Sequence, residues 1–111
     1  MPHIMFRFVF KDTAIKAMTD APQDREEAAR QVIQSFGGKM QSYYFCFGEF
    51  DGVGIAEFPD LVSAGACSMR VSGSGAFAKF ETVPLLTTAE ARNAMQKVKD
   101  AGAANYRPPT G

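Results

Sequence analysis

The sequence predicts an α+β domain: a four-stranded antiparallel sheet with two principal helices on one face, and a further helix towards the C-terminus. Three observations predict it. Strand-like runs and helical stripes follow in the order strand, helix, strand, strand, helix, strand, helix. A break bearing Gly and Asp, Gly48-Glu49-Phe50-Asp51-Gly52, separates the two central apolar runs and reads as a hairpin. The strands are also apolar on both sides, where a sheet with one wet face would alternate more cleanly. A length of 111 residues supports one domain and one core. Residues 1–111 are therefore read as a single domain, with its core over about 3–100 and a tail over 103–111.

Each element has its own justification. His3 to Phe10 alternates, with Phe6, Phe8 and Phe10 on one side and Met5, Arg7 and Val9 on the other, which is a strand by period and composition. Asp12 precedes Thr13 to Met18, where it can cap a short helix. Asp20-Ala21-Pro22-Gln23 restarts the helical signal, with Asp20 as cap, Pro22 in the first turn and Gln23 reaching back. Ala28 or Ala29, Val32 and Phe36 recur at helical spacing, and Gly37-Gly38 ends that helix. Lys39 to Phe47 is the second strand and Val53 to Phe58 the third.

Pro59-Asp60 opens the second principal helix, with Leu61, Ala64, Gly65 and Ser68 on one stripe. Small residues let it lie close to the sheet, and that packing must offset the roughly 1 kcal/mol that Gly costs a helix relative to Ala. Ser72-Gly73-Ser74-Gly75 is a loop; it lacks the Lys and helix context of a phosphate loop. Ala76 to Leu85 is the fourth strand, and Pro84 puts its end at an edge or exit. Thr87-Thr88-Ala89-Glu90 is a capping box for a C-terminal helix with Ala91, Met95 and Val98 on one face, ending at Gly102. Asn105 to Gly111 carries Pro108-Pro109 and is expected to be mobile or draped on a neighbour.

This order is the split βαβ, ferredoxin-like plan. Right-handed crossovers place both principal helices on one face of the sheet. The other face is then bare in a monomer, and a bare apolar face requires a sheet-on-sheet partner, with a homodimer the economical solution. The ten Phe residues, with no Trp, add to the demand for apolar cover, because Phe has no polar handle.

Composition excludes some functions. Twelve basic residues balance twelve acidic ones, which argues against a general nucleic-acid binder, and the Phe set lacks the basic groove of a base-stacking platform. There is no apolar segment of membrane-spanning length and no signal-peptide plan at the N-terminus, so a cytoplasmic protein, bacterial in style, is expected. Cys46 and Cys67 form no close pair and read as reduced, buried thiols. No cofactor is implied.

Gly48-Glu49-Phe50-Asp51, followed by an apolar strand and then Glu57-Phe58-Pro59-Asp60, resembles the GYD family of small, uncharacterised bacterial proteins, named for a Gly, Tyr, Asp signature in this hairpin. Asp12 before a short helix, Gly37-Gly38-Lys39, and Thr82 followed by Thr87 to Glu90 look like the same pattern. Phe50 stands where the family usually has Tyr, so any role of that phenol is absent. The resemblance implies a ferredoxin-like fold of the dimeric α/β-barrel type, and no established activity.

The candidate ligand-binding residues are Arg7, Tyr43, Tyr44, Glu49 and Asp51. Glu49 and Asp51 point the same way if the chain between them is extended, and could divide into acid and base or share a cation; the plainer reading is a solvated turn with Asp51 bonded to backbone. A lone acidic pair without a His cluster is a weak metal signal, so no metal is expected. Arg7 lies mid-strand and needs a carboxylate or an anionic ligand, an ion pair being favoured. Tyr43 and Tyr44 are adjacent and face opposite sides, so one hydroxyl could line a cavity. Lys79 and Glu81 share a parity and read as an edge or cross-strand pair, and His3, alone near the N-terminus, as an exposed residue. The leading functional reading is a self-associating, non-catalytic module that binds a small apolar or anionic molecule between sheet and helices. The alternatives are a cofactor-independent monooxygenase or isomerase, by analogy of fold, and a purely structural interaction protein.

Overall fold

The computed structural model describes residues 1–102 and 105–110. Strand β1 (His3–Phe10) leads through α1 (Asp12–Asp20) and α2 (Arg25–Ser35) to β2 (Lys39–Phe45) and β3 (Gly52–Glu57). Helix α3 (Leu61–Ser72), strand β4 (Phe77–Leu85) and α4 (Thr88–Ala101) follow. The sheet is wholly antiparallel, in the order β2-β3-β1-β4. This is the expected α+β, ferredoxin-like architecture. Pro84 lies on an edge strand, where a missing N–H does least harm.

The alternation of β1 divides the sheet into two faces. Ile4, Phe6, Phe8 and Phe10 are buried beneath the helices with Ala56, Phe58, Ile33 of α2, and Ala64 and Cys67 of α3. The rings of Phe8, Phe10, Phe77 and Phe80 meet at centroid distances of 5.1–6.0 Å. Gly52 pairs with Phe8 across the sheet, and a Cβ there would collide with the Phe8 ring, so the absent side chain is what seats that ring against β3. Gly37 ends α2 at φ +78°, a conformation that costs glycine little.

Several expected details differ. Asp12 does not cap α1: Lys11 is the N-cap and offers no side-chain bond. Helix α2 starts later than Asp20, at Arg25, because Pro22 holds Ala21 in an extended conformation and Asp24 accepts a bond from the Glu26 N–H. Strand β2 stops at Phe45, since the Cys46 N–H already donates to the Asp51 carbonyl at 2.9 Å and closes the turn. On α3 the inward stripe is Ala64 and Cys67, with Ser68 hydroxyl-bonded to Thr82 of β4, while Leu61 is exposed. Cys67 is buried and Cys46 half-buried, and both are free thiols.

Helix α4 begins with the expected capping box, Thr87 and Glu90 bonding reciprocally, and ends at Gly102. None of its residues is buried, and Met95 and Val98 are 69% and 78% exposed. The radius of gyration, 17.8 Å, exceeds the roughly 13 Å of a compact domain this size. Of the expected tail, residues 103, 104 and 111 lie outside the described residues, and 105–110 are exposed without regular structure.

Candidate functional site

Between the sheet and helices α2 and α3 lies a cavity of about 300 Å³. Its floor is aromatic: Phe6, Phe8 and Phe10 from β1 and Phe80 from β4 point up from the covered face. Its roof is small, because α2 presents Ala28 and Ala29 there. Large rings below and short side chains above leave volume that neither fills. Tyr43 of β2 closes one wall, and Arg25, at the start of α2, and Arg70, in the last turn of α3, add the only charged side chains of the lining. Among the described residues no carboxylate lines it.

Burial governs the titration of the groups that face this space. Desolvation pushes the Tyr43 phenol up to about 12, against a smaller opposing pull from Arg25. Desolvation likewise raises the Cys67 thiol to about 11. Both are held protonated at neutral pH. The cavity therefore offers apolar walls, neutral hydroxyl and thiol groups, and two guanidinium ions.

The opposite face of the sheet has no helix over it. Met5 lies between Ile55 and Val83, with Val9, Val53 and Leu85 further along the same side. Among these apolar side chains sit ion pairs within the chain. Arg7 bonds Glu81 at 2.5 Å, and that bond first, then the guanidinium charge, lowers the Glu81 carboxyl from the usual Glu range. His3 is half-buried, not exposed as expected from the sequence: its Nε2 lies 2.8 Å from Glu57, its partner in register on β3. His3 Nδ1 and Arg7 Nε are buried without a hydrogen-bond partner among the described residues.

The hairpin between β2 and β3 ties β1 to this open face. Asp51 donates its N–H to the Phe8 carbonyl at 2.8 Å and accepts from the Phe10 N–H at 2.9 Å, just where the β1–β4 register shifts. The Phe50 ring carries the Arg7 guanidinium at 4.5 Å and the Lys79 ammonium at 5.0 Å. Glu49 is exposed and stands 3.8 Å from Lys79, which also approaches Glu81 at 3.6 Å.

The five candidates thus do not converge. Tyr43 alone lines the cavity. Arg7 and Tyr44 belong to the open face, Tyr44 opposite Val53 and largely exposed. Asp51 bonds backbone and Glu49 is a rim charge. Sequence reasoning missed Arg25, Arg70, Ala28 and Ala29. A signal existed for the alanines: an adjacent small pair on the inward stripe of a helix, opposite a strand of Phe. Among the described residues no three His, Cys, Asp or Glu side chains cluster to hold a metal ion, and no helix is long and apolar enough to cross a membrane.

The family model of the GYD domain matches residues 5–95. The chain belongs to the GYD domain family. The match spans β1 from Met5 onward, the other three strands and more than half of α4, so the cavity, the apolar centre of the open face and the signature hairpin lie within the GYD domain. No curated protein matches the chain. A solved structure, the crystal structure of FFRP-DM1, is similar at a TM-score of 0.49 and 11% identity, over 78% of this chain and 100% of that one.

Proposed function

We propose that this GYD domain is a self-associating binding module: copies meet through the open sheet face, and each holds a small, mainly apolar molecule between sheet and helices. The observation that carries the reading is the cavity, about 300 Å³ walled by aromatic rings with a few polar groups at its edge. That volume lies at the lower end of small-molecule sites. Its two titratable neutral groups, Tyr43 and Cys67, resist ionisation, which favours holding a ligand over acid–base chemistry.

Two features support self-association. Met5, Ile55 and Val83 form an apolar centre on the face opposite α2 and α3, and half-buried pairs of His3 with Glu57 and Arg7 with Glu81 flank it. Helix α4, 14 residues long, is close to the length at which an isolated helix is marginal in water, yet its Met95 and Val98 stripe is largely exposed among the described residues. A second copy would shield both.

The test is a thermal-denaturation screen of the full chain against small apolar and amphiphilic molecules. A ligand specific to the folded state at about 100 times its Kd adds about 2.7 kcal/mol, several degrees in Tm for a domain of this size. Ala29→Leu, which fills the roof, is expected to remove the shift. A panel in which nothing raises Tm, or a hit that Ala29→Leu leaves unaltered, rejects the cavity as the site.

A further inference from the structure

We infer, resting on the binding reading above, that the ligand of this cavity is a carboxylate with an apolar body of about ten carbons, its head held by a guanidinium of the lining, Arg25 beside Tyr43 or Arg70, and its body caged by the Phe rings. The first argument is charge. Among the described residues the lining contains two guanidinium groups and no carboxylate. The ion pairs among the described residues engage Arg7 and Arg30, and neither Arg25 nor Arg70. Arg25 donates to a neutral group, the Gln23 side-chain carbonyl, at 2.8 Å. Arg70 rests over the Phe36 ring with its guanidinium carbon 5.7 Å from the centroid. Guanidinium groups on hydrophobic walls, unmatched by anions, are placed to receive one.

The second argument concerns the acids nearby. Asp24 and Glu26 lie close enough to act on the Tyr43 phenol, as does Arg25, so all three charges stand at the Tyr43 end of the cavity. Asp24 also accepts the Glu26 N–H as the cap of α2, and Glu26 shares Arg30 with Glu27, at 3.5 and 2.8 Å. Arg25 itself bonds a neutral partner, Gln23. The Tyr43 hydroxyl keeps its proton throughout the neutral range and can donate to a carboxylate oxygen beside it.

The third argument is size. A cavity of about 150 Å³ holds one benzene ring, so about 300 Å³ accepts a bicyclic aryl group or a medium-length acyl chain, and nothing much larger. Both bodies present the same chemistry, an apolar mass with one anionic end, and the test includes one of each.

The experiment is calorimetric titration of the full chain with decanoate and with 2-naphthoate, each beside its neutral primary amide. The expected result is that at least one acid binds about tenfold or more tightly than its amide, with the preference shrinking as salt is raised. The double variant R25Q/R70Q is expected to bind that acid and its amide alike, with the amide affinity close to that of the parent. Both side chains reach solvent and bear no ion pair, so the variant should melt like the parent. Equal binding of acid and amide to the parent protein overturns the head-group assignment and leaves the cavity reading intact. An acid preference that survives in R25Q/R70Q overturns the assignment to these arginines. No binding of any of the four overturns this inference, and the thermal screen then decides the cavity reading separately.

Discussion

The two faces of this sheet are built from one strand and closed by different means. Even-numbered residues of β1 (Ile4, Phe6, Phe8, Phe10) are all buried, and the elements above them contribute no buried charge among the described residues. Odd-numbered residues (His3, Met5, Arg7, Val9) are all half-buried, and two of the four are ionic or polar, each meeting a carboxylate in register on a neighbouring strand. The first face is sealed by the chain itself. Its shape is decided by bulky rings meeting small helical residues, which is why it retains a void. The second is presealed only electrostatically. Its charges are neutralised in pairs while its apolar residues stay uncovered, the composition expected of a surface that meets another surface rather than one that faces water permanently.

Breaking the covered face should have the largest effect. Phe8 touches Phe10, Tyr43, Phe77 and Phe80 and sits against Gly52. Phe8→Ala should cost about 3–5 kcal/mol, because the lost ring adjoins an existing void and its neighbours have little to collapse onto. Urea unfolding of the full chain measures it; a loss under about 1 kcal/mol would mean the ring cluster is not the core. Oligomer size below the transition should be unaltered, since no odd-numbered residue is touched.

The open face should break next. Met5→Asp sets a carboxylate between Ile55 and Val83, where neither neighbour can pair with it. Burying that charge in a contact between copies costs about 3 kcal/mol or more, so the dissociation constant should rise at least about 100-fold. Light scattering after size exclusion reads the outcome, with circular dichroism confirming an intact fold. A variant that assembles like the parent places the contact elsewhere, and α4 is then the surface to alter.

The two faces were unequally legible in the sequence. Strand order, the division of β1 into two sides and the capping box at Thr87 depend on local period and local chemistry, and each could be read from consecutive residues. The ion pair of Arg7 could be anticipated because a mid-strand Arg must find an anion, though its partner, Glu81, is 74 residues away and is fixed only by register. The cavity was hidden for a different reason. It depends on the difference in volume between Ala28–Ala29 and the Phe rings beneath them, and on two arginines contributed by separate helices. Neither is a property of any single segment. In the signature hairpin, Glu49 and Asp51 could be read as an acidic site or, more plainly, as a turn with Asp51 bonded to backbone; the structure uses Asp51 on the Phe8 and Phe10 backbone, and Phe50, which the sequence did not single out as a site, beneath two cations.

The smallest expected effects separate the faces by pH. Glu81, on the open face, has its carboxyl lowered mainly by its bond to Arg7. A group depressed in the folded state contributes stability above its unfolded value, about 4.3 for Glu, and loses it as pH falls through the lower folded value. Acid should therefore loosen the open face first, and Glu81→Gln should flatten that limb of the profile; Asp60 and Glu90, lowered chiefly by backbone bonds at their helix caps, leave a residual slope. Tyr43, on the covered face, is displaced the other way, to about 12 by burial. A raised group contributes stability below its unfolded value, near 10, and loses it as pH rises through 12. With part of the ring exposed, its share is on the order of 1 kcal/mol. Tyr43→Phe should flatten the alkaline limb without altering the acid one. Absorbance of tyrosinate at high pH gives the direct reading: the step that Tyr43→Phe removes should lie near 12. If that step lies near 10, the cavity wall is wet, and the distinction between a sealed face and an open one fails at the residue where the structure places it.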